Sequence, residues 1–317
     1  MRIHKDINKL PVFKNAVITI GTFDGVHTGH RQIFRQLKEE AAKISGETVI
    51  ITFDPHPRLV IAKGSHEIKL LNTLEEKLEL LSGQMIDHVV VVPFTREFSE
   101  QNAHDYIRNF IVKFFQPHTI IIGHDHHFGK DRKGNYLLLE QHAVEFSYHV
   151  KEIPEHILNE VIISSTKIRN AILGHQIEIA NKFLGYPYFF EGIVVEGDKI
   201  GRTIGYPTAN LELDDPIKLI PANGVYAVEI EISNKGVVST YYGMMNIGIR
   251  PTLKTTKKVI EVHIFDFHQD IYAQKLRIYL THFLREEIKF NNLQELKEAI
   301  NMDEKKTRKL QSTLSAT

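Results

Sequence analysis

Residues 16–30 read AVITIGTFDGVHTGH and run on into RQIFRQLKEEAAK. A β-branched apolar run, Val17, Ile18, Thr19 and Ile20, stops at Gly21. A short turn then delivers His27-Thr28-Gly29-His30 onto the first turn of an amphipathic helix. Backbone N–H groups at a helix start favour anions. Two imidazoles three residues apart add side-chain donors on the same side, and Gly29 between them lets a phosphate chain approach the backbone. The stretch therefore predicts a strand, turn and helix equipped to hold a triphosphate during transfer. The spacing of the histidines alone leaves open a pair of surface imidazoles beside an ordinary turn.

Working outward, residues 16 to about 153 alternate apolar strands (16–21, 48–53, 88–94, 119–123 and 148–153) with helical patterns (29–44, 73–82, 99–115 and 134–145). Short, nearly continuous apolar strands, each followed by a helix, predict an α/β fold with a parallel sheet covered on both faces. Ligands on such sheets bind outside the carboxyl ends of the strands, so the loops 21–30 and 123–134 should converge. Residues 164–173 read as a helix whose serines cap its start. Beyond Leu184-Gly185-Tyr186-Pro187 the texture changes. Strand-like segments 189–197, 224–232, 239–248, 258–266 and 275–284 follow one another with no helix between them, which predicts an antiparallel barrel or sandwich. Helical patterns return at 293–300 and 304–310. The boundary carries no long linker, and the expected domains are 1–185 and 186–317.

GTFDGVHTGH resembles the HxGH signature of the nucleotidyltransferase superfamily, in the form found in the adenylyltransferase module of bacterial FAD synthetases. ITFDPHP (51–57), IIGHDHHFGKDRKG (121–134) and ISSTKIR (163–169) match that module in the same order. GRTIGYPTAN (201–210), NIGIRPT (246–252) and IEVHIFDF (260–267) resemble riboflavin kinase. The resemblance covers the chain from about residue 10 to about 290. It implies an HxGH nucleotidyltransferase domain followed by an antiparallel β-barrel riboflavin kinase domain with a C-terminal helix.

Adenylyl transfer opens the α-phosphate of ATP to an incoming phosphate while pyrophosphate leaves. It needs positioning and neutralisation of charge but no covalent nucleophile. His27 and His30 are the donors to the phosphate chain. Ser164, Ser165 and Thr166 at a helix start suit the leaving phosphates, and Arg169 one turn on adds a full charge. Asp24, in the glycine-bounded turn, reads equally as an orienter of Mg²⁺ or ribose and as an Asx-turn residue. The resemblance adds Gly21, Phe23 and Asp125 to the ATP site and Phe128 to the flavin site. It also marks a departure, because His126 stands where the family carries an aromatic residue. His124, His126 and His127 have the wrong spacing for a tetrahedral zinc site, and the chain has no cysteine. His56, in a proline-stiffened loop, reads as loop-shaping or flavin-side.

The second module has no GxxxxGK[ST] loop. Gly201 and Gly205 make a pliant loop whose N–H groups can wrap phosphates, and Thr208 and Asn210 alternate on an extended segment, on one face. The resemblance assigns Gly201, Arg202, Thr203, Gly205, Pro207, Thr208 and Asn210 to ATP, with Thr208 and Asn210 also holding Mg²⁺. Phosphorylating an alcohol calls for a proton acceptor. The residues alone rank Glu261, in an otherwise apolar strand, level with Asp266; the resemblance selects Glu261. Asn246, Arg250 and Arg285 are the implied flavin contacts, with Phe290 beside Arg285. Ala273 stands where the family usually has glycine.

Lysine plus arginine equal aspartate plus glutamate at 39 each over 317 residues, so no basic field points to nucleic acid. No apolar run reaches membrane-spanning length and the start, MRIHKDINKL, lacks a signal-peptide core, so a cytoplasmic protein without membrane contact is expected. An interface strand cannot be told from a core strand in this sequence, and no oligomer is read from it. The function expected is bifunctional. ATP phosphorylates riboflavin to FMN in the second module, and a second ATP converts FMN to FAD in the first, with Mg²⁺ in both. The rival readings are one live activity, or a flavin- or nucleotide-binding regulator without turnover.

Overall fold

Val17–Ile20 is buried at all four positions and lies inside a six-stranded sheet. The computed structural model describes residues 1–61, 68–123, 126–153, 163–197, 200–213, 215–234, 236–251 and 256–314. The sheet strands are β1 (Arg2–His4), β2 (Val17–Ile20), β3 (Thr48–Asp54), β4 (His88–Pro93), β5 (Thr119–Gly123) and β6 (His149–Ile153). All pairings are parallel, in the order β1-β4-β3-β2-β5-β6. The apolar runs anticipate five of these strands. They miss β1, whose side chains are largely exposed and which joins the edge by backbone pairing, Arg2↔His88 to His4↔Val90.

Successive strand residues point to opposite faces. Ile18, Ile20, Val49, Ile51, Val90 and Val92 meet Phe110 and Phe115 on one side. Val17, Ile50, Val89, Val91 and Ile121 meet Phe34, Leu37 and Leu81 on the other. Each such side chain contributes about 1.5–3 kcal/mol on burial, against at most about 1 kcal/mol for an exposed ion pair. Apolar alternation therefore fixes the register. The strand order reverses where β2 pairs with β5 (Val17↔Thr119 to Thr19↔Ile121). A crevice opens at such a switch point, at the carboxyl ends of both strands, which is where loops 21–30 and 123–134 begin.

The pattern at 99–115 resolves differently from one helix. A turn at Arg96–Ser99 ends, and Asn102 starts a new helical run by accepting from the Asp105 amide at 2.9 Å. That run passes through a π-helical segment, Tyr106–Val112, to Phe115. Short side-chain caps at Thr95 and Asn102 divide what hydrophobic spacing alone joins.

The chain forms two compact units, Met1–Ser165 and Thr166–Thr317. The helices Ser165–Leu173 and Ile177–Leu184 precede the barrel, and all but Ser165 fall in the second unit. Asn181 explains part of this: its Nδ2 donates to the Leu280 carbonyl at 2.8 Å, and its Oδ1 accepts from the Tyr188 amide at 2.8 Å. His175, between the two helices, stacks on Phe283 at 4.0 Å.

Strands β7 (Phe189–Val195), β8 (Ala209–Glu212), β9 (Gly224–Asn234), β10 (Val237–Pro251), β11 (Thr256–Ile264) and β12 (Lys275–Arg285) close a barrel in the order β10-β11-β8-β7-β12-β9. Every pairing is antiparallel. Ile230, Met245, Ile247, Ile260, Val262 and Ile278 are buried and share the inner face by register. Three expectations need correction. A short helix, Ile200–Thr203, interrupts the strand succession. Gly248 lies within β10 rather than in a bend. The C-terminal patterns form one helix, Leu293–Leu314, and not two. Asn301-Met302-Asp303 looks like a break, yet Asp303 is buried under an ion pair with Arg285 at 2.8 Å, and Thr307 Oγ1 donates to its carbonyl.

Ala273 holds φ at 60° in the turn before β12, while its amide donates to the Val194 carbonyl at 2.9 Å. A left-handed alanine costs about 1–2 kcal/mol, partly offset by the entropy glycine would lose on folding, about 0.5–1 kcal/mol. Ala273→Gly should therefore stabilise the barrel by roughly 0.5–1 kcal/mol. A urea midpoint that stays put or falls would contradict this account of the turn.

Candidate functional site

The first cluster grows from the end of β2. His27 caps the helix Thr28–Lys43, its Nδ1 accepting from the His30 amide at 3.4 Å. An accepting Nδ1 carries no proton, so the neutral ring bears its hydrogen on Nε2, away from the cap. The His30 ring stacks on His27 at 3.6 Å and 19°. Phe23, buried, meets His30 edge-on at 5.2 Å and packs over Gly21. His30 Nδ1 is buried with no hydrogen-bond partner among the described residues. Gly29 lies beneath the His27 ring, where a Cβ would stand 3.2 Å from Cε1 and Nδ1. A side chain there would press on the stacked ring by a few tenths of an ångström.

Burial alone lowers the His27 imidazole to about 4. Burial, the neighbouring His27 and the Lys77 charge hold His30 well below the ordinary range. Both rings are therefore held neutral and not as imidazolium ions.

Asp24 is buried, and its Oδ1 accepts from the Leu71 and Asn72 amides at 2.9 and 3.2 Å. These contacts, 47 and 48 residues away in sequence, are not an Asx turn; they tie the histidine turn to residues 71 and 72. Ser165 Oγ donates to the Asp24 carbonyl at 2.8 Å, and the Ile163 carbonyl lies near Gly29. The start of ISSTKIR thereby joins the histidine turn, with Ser164 between these two contacts in sequence. Thr166, exposed, and Arg169, half-buried, follow on the same helix within the second unit. Phe128 is buried and stacks on Tyr106 at 5.0 Å, with Gly134 against its ring. His126 tilts toward Phe128 at 5.9 Å. His56 is buried, and its Nδ1 accepts from the Arg58 amide at 3.1 Å, a loop-shaping contact. His124 and Asp125 lie outside the described residues. Among the described residues no three His, Asp or Glu side chains gather to hold a metal.

The sequence reading misses Lys77. Leu74, Lys77, Leu78 and Leu81 recur at helical spacing on one stripe of the helix Leu74–Ser82, and Lys77 is buried with its leucine neighbours. A lysine on an apolar stripe is the signal. Its Nζ donates to the Thr22 carbonyl at 3.3 Å, Thr52 Oγ1 at 3.2 Å and the Phe53 carbonyl at 3.5 Å, which ties the ends of β2 and β3. Burial lowers its pKa while Asp24 and Asp54 oppose that shift.

The second cluster lies on the outer wall of the barrel. Asn246 pairs with Glu261, and Glu261 with Asn210, across β10, β11 and β8. Their strand neighbours Met245, Ile247, Ile260, Val262 and Leu211 are buried, so all three polar side chains face outward in one row. Thr208, two residues before Asn210 and exposed, continues that face. The loop feeding it is tightly closed: the Tyr206 amide donates to the Gly201 carbonyl at 2.8 Å, and a Cβ on Gly201 would strike the Tyr206 carbonyl. Gly205 has φ +88°, and Arg202, Thr203 and Pro207 are exposed around it. Arg202 reaches the Tyr272 hydroxyl at 3.3 Å.

The two acidic candidates part company here. Asp266 sits beyond β11 in a bidentate pair with Arg308 at 2.9 and 3.0 Å, which holds its carboxyl below the usual range. That makes Asp266 a poor proton acceptor. Arg285 is committed to Asp303 and to the Glu286 carbonyl, with Phe290 5.7 Å from its guanidinium. Arg250 lies on β10, and its side chain is outside the described residues.

The chain matches the FAD synthetase family over residues 10–167 and the riboflavin kinase family over 184–311. A Listeria monocytogenes protein named bifunctional riboflavin kinase/FMN adenylyltransferase is 38% identical over 295 residues, 93% of this chain and 92% of that protein. An Escherichia coli K12 protein of the same name is 36% identical over 292 residues, 92% and 91% of the two chains. The crystal structure of a macrolide-efflux protein from Streptococcus pneumoniae matches with a TM-score of 0.85 at 31% identity, covering 97% of this chain and 98% of that one. Among the described residues no helix is long and apolar enough to cross a membrane.

Depression of the His27 pKa has a sign. Above about pH 6.5 both folded and unfolded states leave the ring neutral; below it the unfolded chain takes a proton that the folded site refuses until about pH 4. Folding stability of the first unit should thus fall with falling pH, by about 2 kcal/mol between pH 7 and 5 from this group. His27→Asn keeps a cap acceptor but does not titrate, and should remove that part of the slope in urea unfolding at the two pH values. An unchanged slope would show that the ring is not held neutral by burial.

Proposed function

The chain belongs to the bifunctional riboflavin kinase/FMN adenylyltransferase family, and from that premise we propose that each unit carries one of the two activities. By sequence the work divides between modules 1–185 and 186–317, a boundary beyond the one between the compact units, which lies after Ser165. The second converts riboflavin to FMN with ATP. The first joins FMN to AMP from another ATP, giving FAD and pyrophosphate.

One observation supports each half. For the adenylyl transfer it is the stacked, neutral His27–His30 pair at a helix start, with His30 Nδ1 buried and lacking a partner among the described residues. A phosphate oxygen of FMN attacks the α-phosphorus of ATP, and the bond to the bridging oxygen breaks. The attacking group is already ionised, so no base is required. His27 Nε2–H and the amides of the first turn donate to the charge that builds up. Ser164 and Ser165, joined to the histidine turn within the first unit, hold the departing phosphates.

For the kinase half it is the row Asn246, Glu261, Asn210. Glu261 takes the proton of the riboflavin primary alcohol as its oxygen attacks the γ-phosphorus, and ADP leaves. The Gly201–Gly205 loop wraps the phosphates, and Asn246, in the row beside Glu261, contacts the flavin; the resemblance adds Arg250 and Arg285 to that site, Arg285 being held by Asp303. The donor set beside Glu261 fits a small hard cation. Thr208 offers a hydroxyl oxygen and Asn210 an amide oxygen, the ligand types that Mg²⁺ combines with substrate phosphates. Thr208 and Asn210 would hold that ion, which supplies neutralisation of phosphate charge when bound.

Two variants test the division. Glu261→Gln keeps size and hydrogen bonding but removes the proton acceptor, and should lower FMN formation by about two to four powers of ten. FAD formation from supplied FMN should be unaffected. His30→Ala should do the reverse, with FAD formation down by about two to three powers of ten while FMN accumulates. Chromatography of the flavins over time reads both. If both activities fell together in a folded variant, the assignment of one activity to each unit would be wrong. Near-normal kinase turnover in Glu261→Gln would remove the base.

A further inference from the structure

His263 lies two residues beyond Glu261 on β11 and shares its outward face. Its Nδ1 stands 2.7 Å from the Pro207 carbonyl. A carbonyl only accepts, so Nδ1 carries the hydrogen and donates. The ring is held in that orientation from two sides, by Tyr206 edge-on at 5.3 Å and 72° and by Phe265 at 5.7 Å and 64°.

The place of this bond matters. The β11–β8 pairing runs Ile260↔Leu211, Glu261↔Asn210, Val262↔Ala209 and stops there. The next pair would be His263 opposite Thr208. Where the backbone ladder ends, the imidazole takes the carbonyl of the residue just before Thr208. Asn210 is thus set by the ladder, whereas Thr208 is set through a side chain.

We infer that His263 is a positioning residue of the kinase site: it fixes the Pro207–Thr208 peptide so that the Thr208 hydroxyl and the loop 201–208 face the ATP phosphates beside Asn210. This rests on Thr208 being a phosphate-side residue, as proposed above. His263 acts on ATP binding through Thr208 and takes no part in the proton transfer at Glu261.

The test is a double-mutant cycle on FMN formation in the full chain, with His263→Leu, His263→Asn, Thr208→Val and the pair His263→Leu/Thr208→Val. His263→Leu removes the donor and should raise the KM for ATP about five- to tenfold, the range of one lost hydrogen bond, with kcat at saturating ATP within about twofold. A retained kcat also reports a folded barrel. Asn places an N–H near the position of Nδ1, so His263→Asn should return most of the ATP affinity. In the Thr208→Val background His263→Leu should cost little more. FAD formation from supplied FMN should not change in any of them. An unaltered KM in His263→Leu, a kcat loss without a KM change, or a full multiplicative penalty on top of Thr208→Val overturns the role of His263 alone. A harmless Thr208→Val overturns the phosphate-side assignment and this inference with it.

Discussion

Alternation of side chains along a β-strand is the constraint on which both clusters depend. In the first unit, helices cover both faces of the parallel sheet, and nearly every position of the central strands β2 to β5 is buried on one side or the other. Polar chemistry then has room only at strand ends, and the switch between β2 and β5 selects which ends. In the second unit the inner face of the barrel is filled and the outer face is partly open. One outward-facing polar residue from each of three neighbouring strands, Asn246, Glu261 and Asn210, lines up there without disturbing the core.

The first cluster handles charge through burial. Its two histidines are desolvated enough to stay neutral, while Lys77 is drawn under the same turn with carbonyl and hydroxyl acceptors around its ammonium. Neutral imidazoles donate hydrogen bonds without the desolvation cost of an ion, and that cost exceeds what an unpaired buried charge regains. Asp24 serves the same end from the opposite side. Its carboxylate binds two backbone amides of residues 71 and 72, so the turn that presents His27 is fixed by charge-assisted bonds as well as by packing.

What was legible in the sequence follows from how local each signal is. Strands β2 to β6, the helix Thr28–Lys43 and the histidine turn are written in contiguous apolar runs and a glycine stop, and these are local. The outward placement of Glu261 is also local, because it alternates with Ile260 and Val262. By contrast, β1 depends on a backbone edge 84 residues away, where His4 meets His88 at 3.0 Å. The continuity of the last helix depends on Arg285 reaching Asp303, 18 residues on. The pairing that lowers Asp266 comes from Arg308, 42 residues away. Lys77 was visible as a charge on an apolar stripe but is only explained by the acceptors that meet it.

The C-terminal helix shows how distant pairing shapes a site without entering it. Ile300 and Leu310 pack on the cluster of Val225, Ala227, Met244 and Leu284 and cover one part of the outer wall. From the same helix Asp303 takes Arg285, and Arg308 takes Asp266 while lying 4.5 Å over the Phe265 ring. The exposed Arg308–Asp266 pair adds little net stability, so its effect is on which charges face the open wall. Asp266 is turned into a structural anion. Glu261 stays in the row with Asn246 and Asn210, two residues before the His263 that holds the Pro207 carbonyl. The helix thereby pairs Asp266, and hydrophobic docking on the barrel is what brings Arg308 to it.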